Sequence, residues 1–155
     1  MPKDRGPSRE MSPCNGTAMR KASRRLTLLY DEALAPCGLR STQYAILAEL
    51  NRLEKFSPTI LELAAALVMD RSALGHNLRP LERDGFLLLQ TSPEDRRRRH
   101  VVMTSQGRAK LREARRLWRA AQNRFNAVFG EAEATRLRGT LLGIAHDERL
   151  AVLRD

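Results

Sequence analysis

Ser72, His76, Arg79 and Arg83 recur at spacings of four, three and four residues, and Asp95 is followed by an unbroken run, Arg96, Arg97, Arg98 and Arg99. These are hydroxyl, imidazole and guanidinium groups, which bind through hydrogen bonds and charge. Guanidinium makes forked contacts to phosphate oxygens and to the guanine edge that an ammonium does not. His76, His100 and His146 and two distant cysteines lack the spacing of a zinc site, so no metal is expected. Neither a Ser/His/Asp set, nor a glycine-rich phosphate loop, nor a carboxylate pair stands out, so neither an enzyme nor a cofactor is expected.

A single helix is required to hold the first group. Residues 71–84 predict one, with Asp70 placed to accept the orphan N–H groups of its first turn and Gly85 placed after its last. At 100° per residue Leu74, Leu78 and Leu81 fall on one side, and Ser72, His76, Arg79 and Arg83 on the other. The greasy side anchors the helix; the polar side suits a DNA major groove, which admits a helix. Arg71, in the first turn of the helix, is counted with the candidate DNA contacts. Pro80 removes one backbone hydrogen bond and predicts a kink. After the helix come an apolar strand (Phe86 to Gln90), a polar tip and a return strand (Val101 to Thr104). Arginines on such a tip suit a narrow minor groove. The fold class read here is mainly α with a small β-hairpin wing, a winged helix-turn-helix.

The totals agree. The 155 residues fit one domain, with a net charge of +10 that favours a polyanionic partner. Only Lys3, Lys21, Lys55 and Lys110 are lysine, so 24 of the 28 basic residues are arginine, which fits nucleic acid but equally a coding bias. No apolar run approaches the ~18 residues of a membrane span, and the first dozen residues do not form a secretory signal. Cys14 and Cys37 do not make a disulfide framework, and a cytoplasmic protein is expected.

Around the groove-reading core, residues 1–13 read as a flexible tail. A helix is predicted from Thr17 to Ala35 with Leu26, Leu29, Ala33 and Tyr30 inward, then Thr42 to Arg52 capped by Ser41. Thr59 and Glu62 have the spacing of a capping box, opening a short helix through Val68 whose packing face would be Leu61, Ala64, Ala65 and Val68. Beyond the hairpin, Leu111, Ala114, Leu117, Trp118, Ala121, Phe125 and Val128 stripe a helix from Ser105 to about Val128. Leu137, Leu141, Ile144 and Ala145 stripe another, which would run to about Leu153. Residues 14–38 and 105–155 then form a helical dimerisation region, and 39–104 the DNA-binding domain, because two long amphipathic helices find no intrachain core to cover.

Several short runs in this order resemble regulators of the multiple-antibiotic-resistance (MarR) family. They are Leu39-Arg40-Ser41-Thr42-Gln43-Tyr44, Thr59 with Glu62-Leu63-Ala64, Asn77 through Gly85, and Pro93-Glu94-Asp95-Arg96-Arg97 leading to Thr104. The resemblance covers about residues 17–153. It implies a symmetric homodimer, a repressor that leaves a pseudo-palindromic operator in double-stranded DNA when a small aromatic ligand or an oxidant binds. Asp95 and Arg97 match the family's Asp-x-Arg wing motif, in which the carboxylate would brace the arginine toward the minor groove. Ser72, His76, Asn77 and Arg79 take positions that meet bases and phosphates; kin often carry arginine near His76.

Two triggers follow from the same resemblance. Peroxide-sensing members use a cysteine near the start of the first helix with tyrosines nearby, which here would be Cys14, Tyr30 and Tyr44. Cys14 lies about two positions early, and Ser41 replaces a further tyrosine. Arg20, Lys21, Arg24 and Arg25 would favour a thiolate. Alternatively an aromatic acid or its thioester enters a crevice between the first, second and fifth helices, lined by Trp118, Tyr44 and Arg25. Trp118 also suits ordinary core packing. A different class, a sequence-tolerant architectural DNA binder without effector, needs only the +10 charge.

Overall fold

The computed structural model describes residues 13–95 and 97–151. Arg96, residues 152–155 and all of the expected tail except Pro13 lie outside them. The elements run α1 (Asn15–Leu34), a 3-10 turn (Ala35–Cys37), α2 (Ser41–Arg52), α3 (Ile60–Ala66), α4 (Arg71–Arg83), β1 (Leu87–Thr91), β2 (Arg99–Met103), α5 (Ser105–Phe129), α6 (Glu131–Ala145) and a final 3-10 turn (Glu148–Leu150). The strands form one antiparallel hairpin with Leu87 opposite Met103 and Thr91 opposite Arg99. This is the winged helix-turn-helix expected from the sequence.

The core lies beneath α2, α3, α4 and the hairpin. Leu34, Ile46, Leu47, Leu63, Leu74, Leu78, Leu81, Leu87 and Val101 are fully buried there. From α5, Leu111 and Ala114 close it. Each such leucine contributes roughly 1.5–3 kcal/mol by leaving water, so the three from α4 hold that helix firmly against the domain. Outside this core the picture changes. Leu28 is 64% exposed, Val128 75% and Leu142 55%, and on α6 only Ala134 is buried.

Several local expectations are corrected. Ser41 is not the cap of α2: the cap position is Arg40, whose N–H is taken by the Gln43 side chain at 2.9 Å. Ser41 N–H is taken instead by Asp31 Oδ1 on α1, at 2.7 Å, so the cap is supplied by a residue ten positions upstream. The packing face of α3 is Leu63 and Ala64 with Ile60 and Leu67 beside them; Leu61 (71% exposed), Ala65 and Val68 face outward. In α1 only Leu34 is fully buried, while Leu26, Leu29 and Ala33 are half-buried. In α5, Val128 is exposed, and α6 stops at Ala145 rather than near Leu153. Pro80 sits inside α4 without ending it, since the helix continues to Arg83.

The turn between α3 and α4 carries the one non-glycine residue with positive φ among the described residues, Val68 at +51°. Its N–H reaches the Ala65 carbonyl at 3.1 Å and that of Met69 the Ala64 carbonyl at 2.9 Å, closing the helix that was expected to run through it. A β-branched side chain is strained in this region, and this one is largely exposed. Val68→Gly should therefore stabilise the fold by about 0.5–1 kcal/mol, relief of strain exceeding the added freedom of the unfolded chain. Urea unfolding measures it, and a loss of stability would show that Val68 is not strained.

Candidate nucleic-acid interface

The recognition helix α4 begins as its sequence dictates. Asp70 Oδ1 accepts the Ala73 N–H at 2.8 Å, and Gly85, at φ +77°, turns the chain after Asp84. With Leu74, Leu78 and Leu81 inward, Arg71, Ser72, His76, Arg79 and Arg83 are all exposed. Arg83 is partly spent on its neighbour Asp84, at 2.9 Å. Asn77 departs from expectation: it is half-buried and its side-chain amide donates to the Ala73 carbonyl at 2.9 Å, so it is turned back along the helix.

Beside α4 stands the wing. Asp95 braces its tip, but not through a guanidinium. Asp95 Oδ1 accepts the backbone N–H of Arg97 at 2.9 Å, and the Asp95 carbonyl accepts that of Arg98, also at 2.9 Å. This is an Asx-type turn, in which a short carboxylate folds onto the chain two residues ahead. Buried Ser92 ties the other side, its hydroxyl on Glu94 at 2.5 Å and its N–H on the Arg98 carbonyl at 2.9 Å. Arg97 and Arg98 are left exposed at the turn. Arg99, expected at the tip, belongs to β2 opposite Thr91. Among the described residues none of Arg71, Arg79, Arg97, Arg98 and Arg99 is held in an ion pair, so their charge is available to an anion.

A clamp that the sequence reading missed holds the wing to the body. Val101 N–H donates to the Pro58 carbonyl at 2.8 Å, Thr59 bridges His100, and His100 Nδ1 lies 2.7 Å from the Ser57 carbonyl, which requires a proton on that nitrogen. The Thr59–Glu62 capping box is present as expected, with Glu62 Oε2 accepting from Thr59 N at 2.7 Å and Thr59 Oγ1 at 2.9 Å. These bonds to the Thr59 backbone and hydroxyl hold the Glu62 carboxyl below its ordinary range, with Arg98 and His100 adding to the effect.

The candidate effector residues divide. Trp118 of α5 stacks between Tyr44 of α2 (5.8 Å between ring centroids) and Tyr30 of α1 (6.5 Å). Burial raises the pKa of both tyrosines, with Arg115 opposing it at the Tyr44 hydroxyl and Arg138 at Tyr30. Tyr30 donates to Gln122 Oε1 at 2.7 Å. So the crevice between α1, α2 and α5 holds this aromatic stack. A hollow of about 270 Å³ between α1, α5 and α6 is lined by Tyr30 itself with Leu26, Phe125, Leu137 and Arg138. Arg25 does not line the crevice; it is exposed on α1 beside Lys21, Arg24 and Leu28. Nor is Cys14 near the tyrosines. It is the exposed N-cap residue of α1, sixteen residues or about 24 Å of helix from Tyr30. Hydrogen bonding from Thr17 lowers its thiol pKa.

The MarR family pattern matches residues 39–98. Over the whole fold, the chain is 33% identical to the M. tuberculosis transcriptional regulator MosR, in a structure of that protein with DNA; the match covers 89% of this chain and 99% of MosR, at a TM-score of 0.75. The chain belongs to the MarR family. A second relative is CouR, a transcriptional repressor. Its structure on a 23-mer DNA duplex shares 27% identity, covering 86% of this chain and 93% of that one at a TM-score of 0.76. The structure of CouR with p-coumaroyl-CoA matches at 25% identity and a TM-score of 0.77, over 91% of this chain and 98% of that one. A transcriptional regulatory protein for the hcr operon of Thauera aromatica is 35% identical over 82 residues, 53% of this chain but only 47% of that protein. As a MarR-family regulator this protein is a DNA-binding transcription factor and not an enzyme. No helix of the described residues is long and apolar enough to cross a membrane.

The Glu62 cap has a pH consequence. Its folded-state pKa is depressed, so its contribution to stability is present above the ordinary carboxylate range and is lost as pH falls through the depressed value. Glu62→Gln should be less stable than the parent at pH 7, and the gap should close on acidification below about pH 4. A gap in thermal unfolding that stays constant down to pH 3 would contradict it.

Proposed function

We propose that this MarR-family regulator acts as a homodimeric, operator-specific repressor that places α4 in the major groove and the wing in the adjoining minor groove of each half-site. Arg71, Ser72, His76 and Arg79 meet bases and phosphates, and Arg97 and Arg98 enter or flank the minor groove, with Arg96 and Arg99 adding charge. Asp95 serves by shaping the turn. The observation that carries the reading is a helix anchored by three buried leucines, with Arg71 and Arg79 exposed away from them and Arg97 and Arg98 exposed on the wing, none of these four in an ion pair among the described residues. Dimerisation through α1, α5 and α6, the regions 14–38 and 105–155, is supported by Leu28, Val128, Phe129, Leu137, Leu141 and Leu142, which one chain leaves exposed. A face of that extent is what a second copy covers in a symmetric dimer.

The repressor is released by a small aromatic acid or its thioester that engages the Tyr30–Trp118–Tyr44 stack. The stack joins α1 and α5 to α2, so a ligand wedged there acts on the DNA-binding domain directly. CouR, a relative, binds p-coumaroyl-CoA. Trp118 is the sole tryptophan, so its fluorescence reports binding without a label. A peroxide response through Cys14 has one supporting observation, its exposure together with a lowered thiol pKa. Release by cumene hydroperoxide that persists unchanged in Cys14→Ser would remove that cysteine as sensor.

The competing class is a sequence-tolerant architectural protein. Titrating the regulator against its own upstream region and an unrelated duplex near 150 mM salt separates the two. A specific repressor prefers its site by a factor of about 10³ or more, and equal affinities would favour the architectural reading. In the same assay Arg97→Ala should weaken binding and lower the salt slope by about one ion equivalent, as expected for one lost phosphate contact. An unchanged slope and affinity would take Arg97 out of the interface.

A further inference from the structure

One hydroxyl, at the junction of β2 and α5, ties the link between α4 and β1 to the first turn of α5. Thr104 Oγ1 donates to the Gly85 carbonyl at 2.7 Å and accepts the Gly107 N–H at 2.9 Å, while Thr104 N–H donates to the Phe86 carbonyl at 3.1 Å. Gly85 and Phe86 are in turn bonded to the last turn of α4, through the carbonyls of Glu82 (3.0 Å) and Leu81 (2.9 Å). Gly107 is glycine for a steric reason: a Cβ there would run into the Phe86 carbonyl oxygen and crowd Met103. One turn further along α5, Lys110 sits 5.6 Å from the centre of the Phe86 ring and donates to the Cys37 carbonyl at 3.2 Å. Hydrogen bonds thereby connect the end of α4, both feet of the hairpin and the first turns of α5.

We infer that Thr104 is the positioning residue that sets the angle between recognition helix and wing, and hence the ability to engage two grooves at once. The lever is long. Five residues of strand at about 3.4 Å each place the tip about 17 Å from the foot, and the Pro58–Val101 bond holds β2 part-way along, so a 10° rotation about that point still moves the arginines by about 1–2 Å. Hydrogen bonds tolerate a few tenths of an ångström. Thr104 touches no nucleic acid; its influence on readout is entirely through the geometry it fixes.

This inference rests on the DNA-reading function proposed above, and its test separates the two. Duplexes are selected from a random pool with the parent protein, and affinities near 150 mM salt are measured for the selected duplex and a scrambled one. Thr104→Val keeps the shape and loses both hydroxyl bonds; Thr104→Ser keeps both. Thr104→Val should lose at least tenfold on the selected duplex and less than twofold on the scrambled one, and Thr104→Ser should stay within threefold of the parent on both. Loss alike on the two duplexes, or none on either, overturns the role of Thr104. A parent without preference between duplexes overturns the DNA-reading proposal and this one with it. Should Thr104→Val not fold, amide exchange in the parent decides. The Thr104 and Gly107 amides should be as protected as those around Leu111, and exchange at the rate of a frayed helix end would overturn the rigid junction.

Discussion

Burial of Leu74, Leu78 and Leu81 against the α2–α3 core is the constraint on which the remaining structure depends. Their spacing of four and three residues allows only one rotational setting of α4, because turning the helix far enough to present another face would expose three leucines at roughly 1.5–3 kcal/mol each. That single setting sends Arg71, Ser72, His76 and Arg79 to solvent together. The basic flank is therefore a consequence of hydrophobic packing and not of attraction to any partner, and it is preformed before DNA arrives. Preformed donors lose little conformational freedom on binding.

The wing follows the same logic with different bonds. Backbone and side-chain hydrogen bonds around Ser92, Asp95, Arg97 and Arg98 fold the turn upon itself, and the Ser57–Pro58–Thr59 strip pins the return strand near its middle. Fixed at its tip and along β2, the hairpin is a stiff projection whose arginines keep their spacing relative to α4. Away from this half of the molecule the design changes. The outer part of α1, the far end of α5 and nearly all of α6 leave apolar side chains uncovered, while the aromatic stack of Tyr30, Trp118 and Tyr44 joins that region to the DNA-binding half alongside buried Leu34, Leu111 and Ala114. A regulator needs such a division, one half rigid enough to read and a joint through which a signal arrives.

What could be read from the sequence was whatever is decided within a few residues. Asp70 capping α4, Thr59 boxed with Glu62, and the leucine stripe of α4 are all local, and each is where periodicity and capping chemistry put it. The face of α3 was not legible, since seven residues make two turns and tertiary packing chooses their phase; Leu63 went in and Leu61 out. Nor was the cap of α2, because Asp31 reaches it from another helix. At the candidate site the exposed arginines were found by type and spacing. Asn77 was misjudged because its amide has a nearer acceptor in Ala73, and Arg25 because its helix turns it away from Trp118. Asp95 could have been read better: an aspartate two residues before a turn N–H commonly bonds the backbone. The Thr104 junction left a faint trace, a threonine three residues ahead of a glycine at a helix start.

The central claim, that two copies of α4 and its wing read one duplex in register, is tested most directly by hydroxyl-radical footprinting of the protein on a duplex it has selected from a random pool. The account predicts two related protected segments, their centres one helical turn or a multiple of about 10–10.5 base pairs apart, each flanked by protection of the neighbouring minor groove. A single uninterrupted protected stretch without two-fold character, or no sequence selected at all, would contradict it.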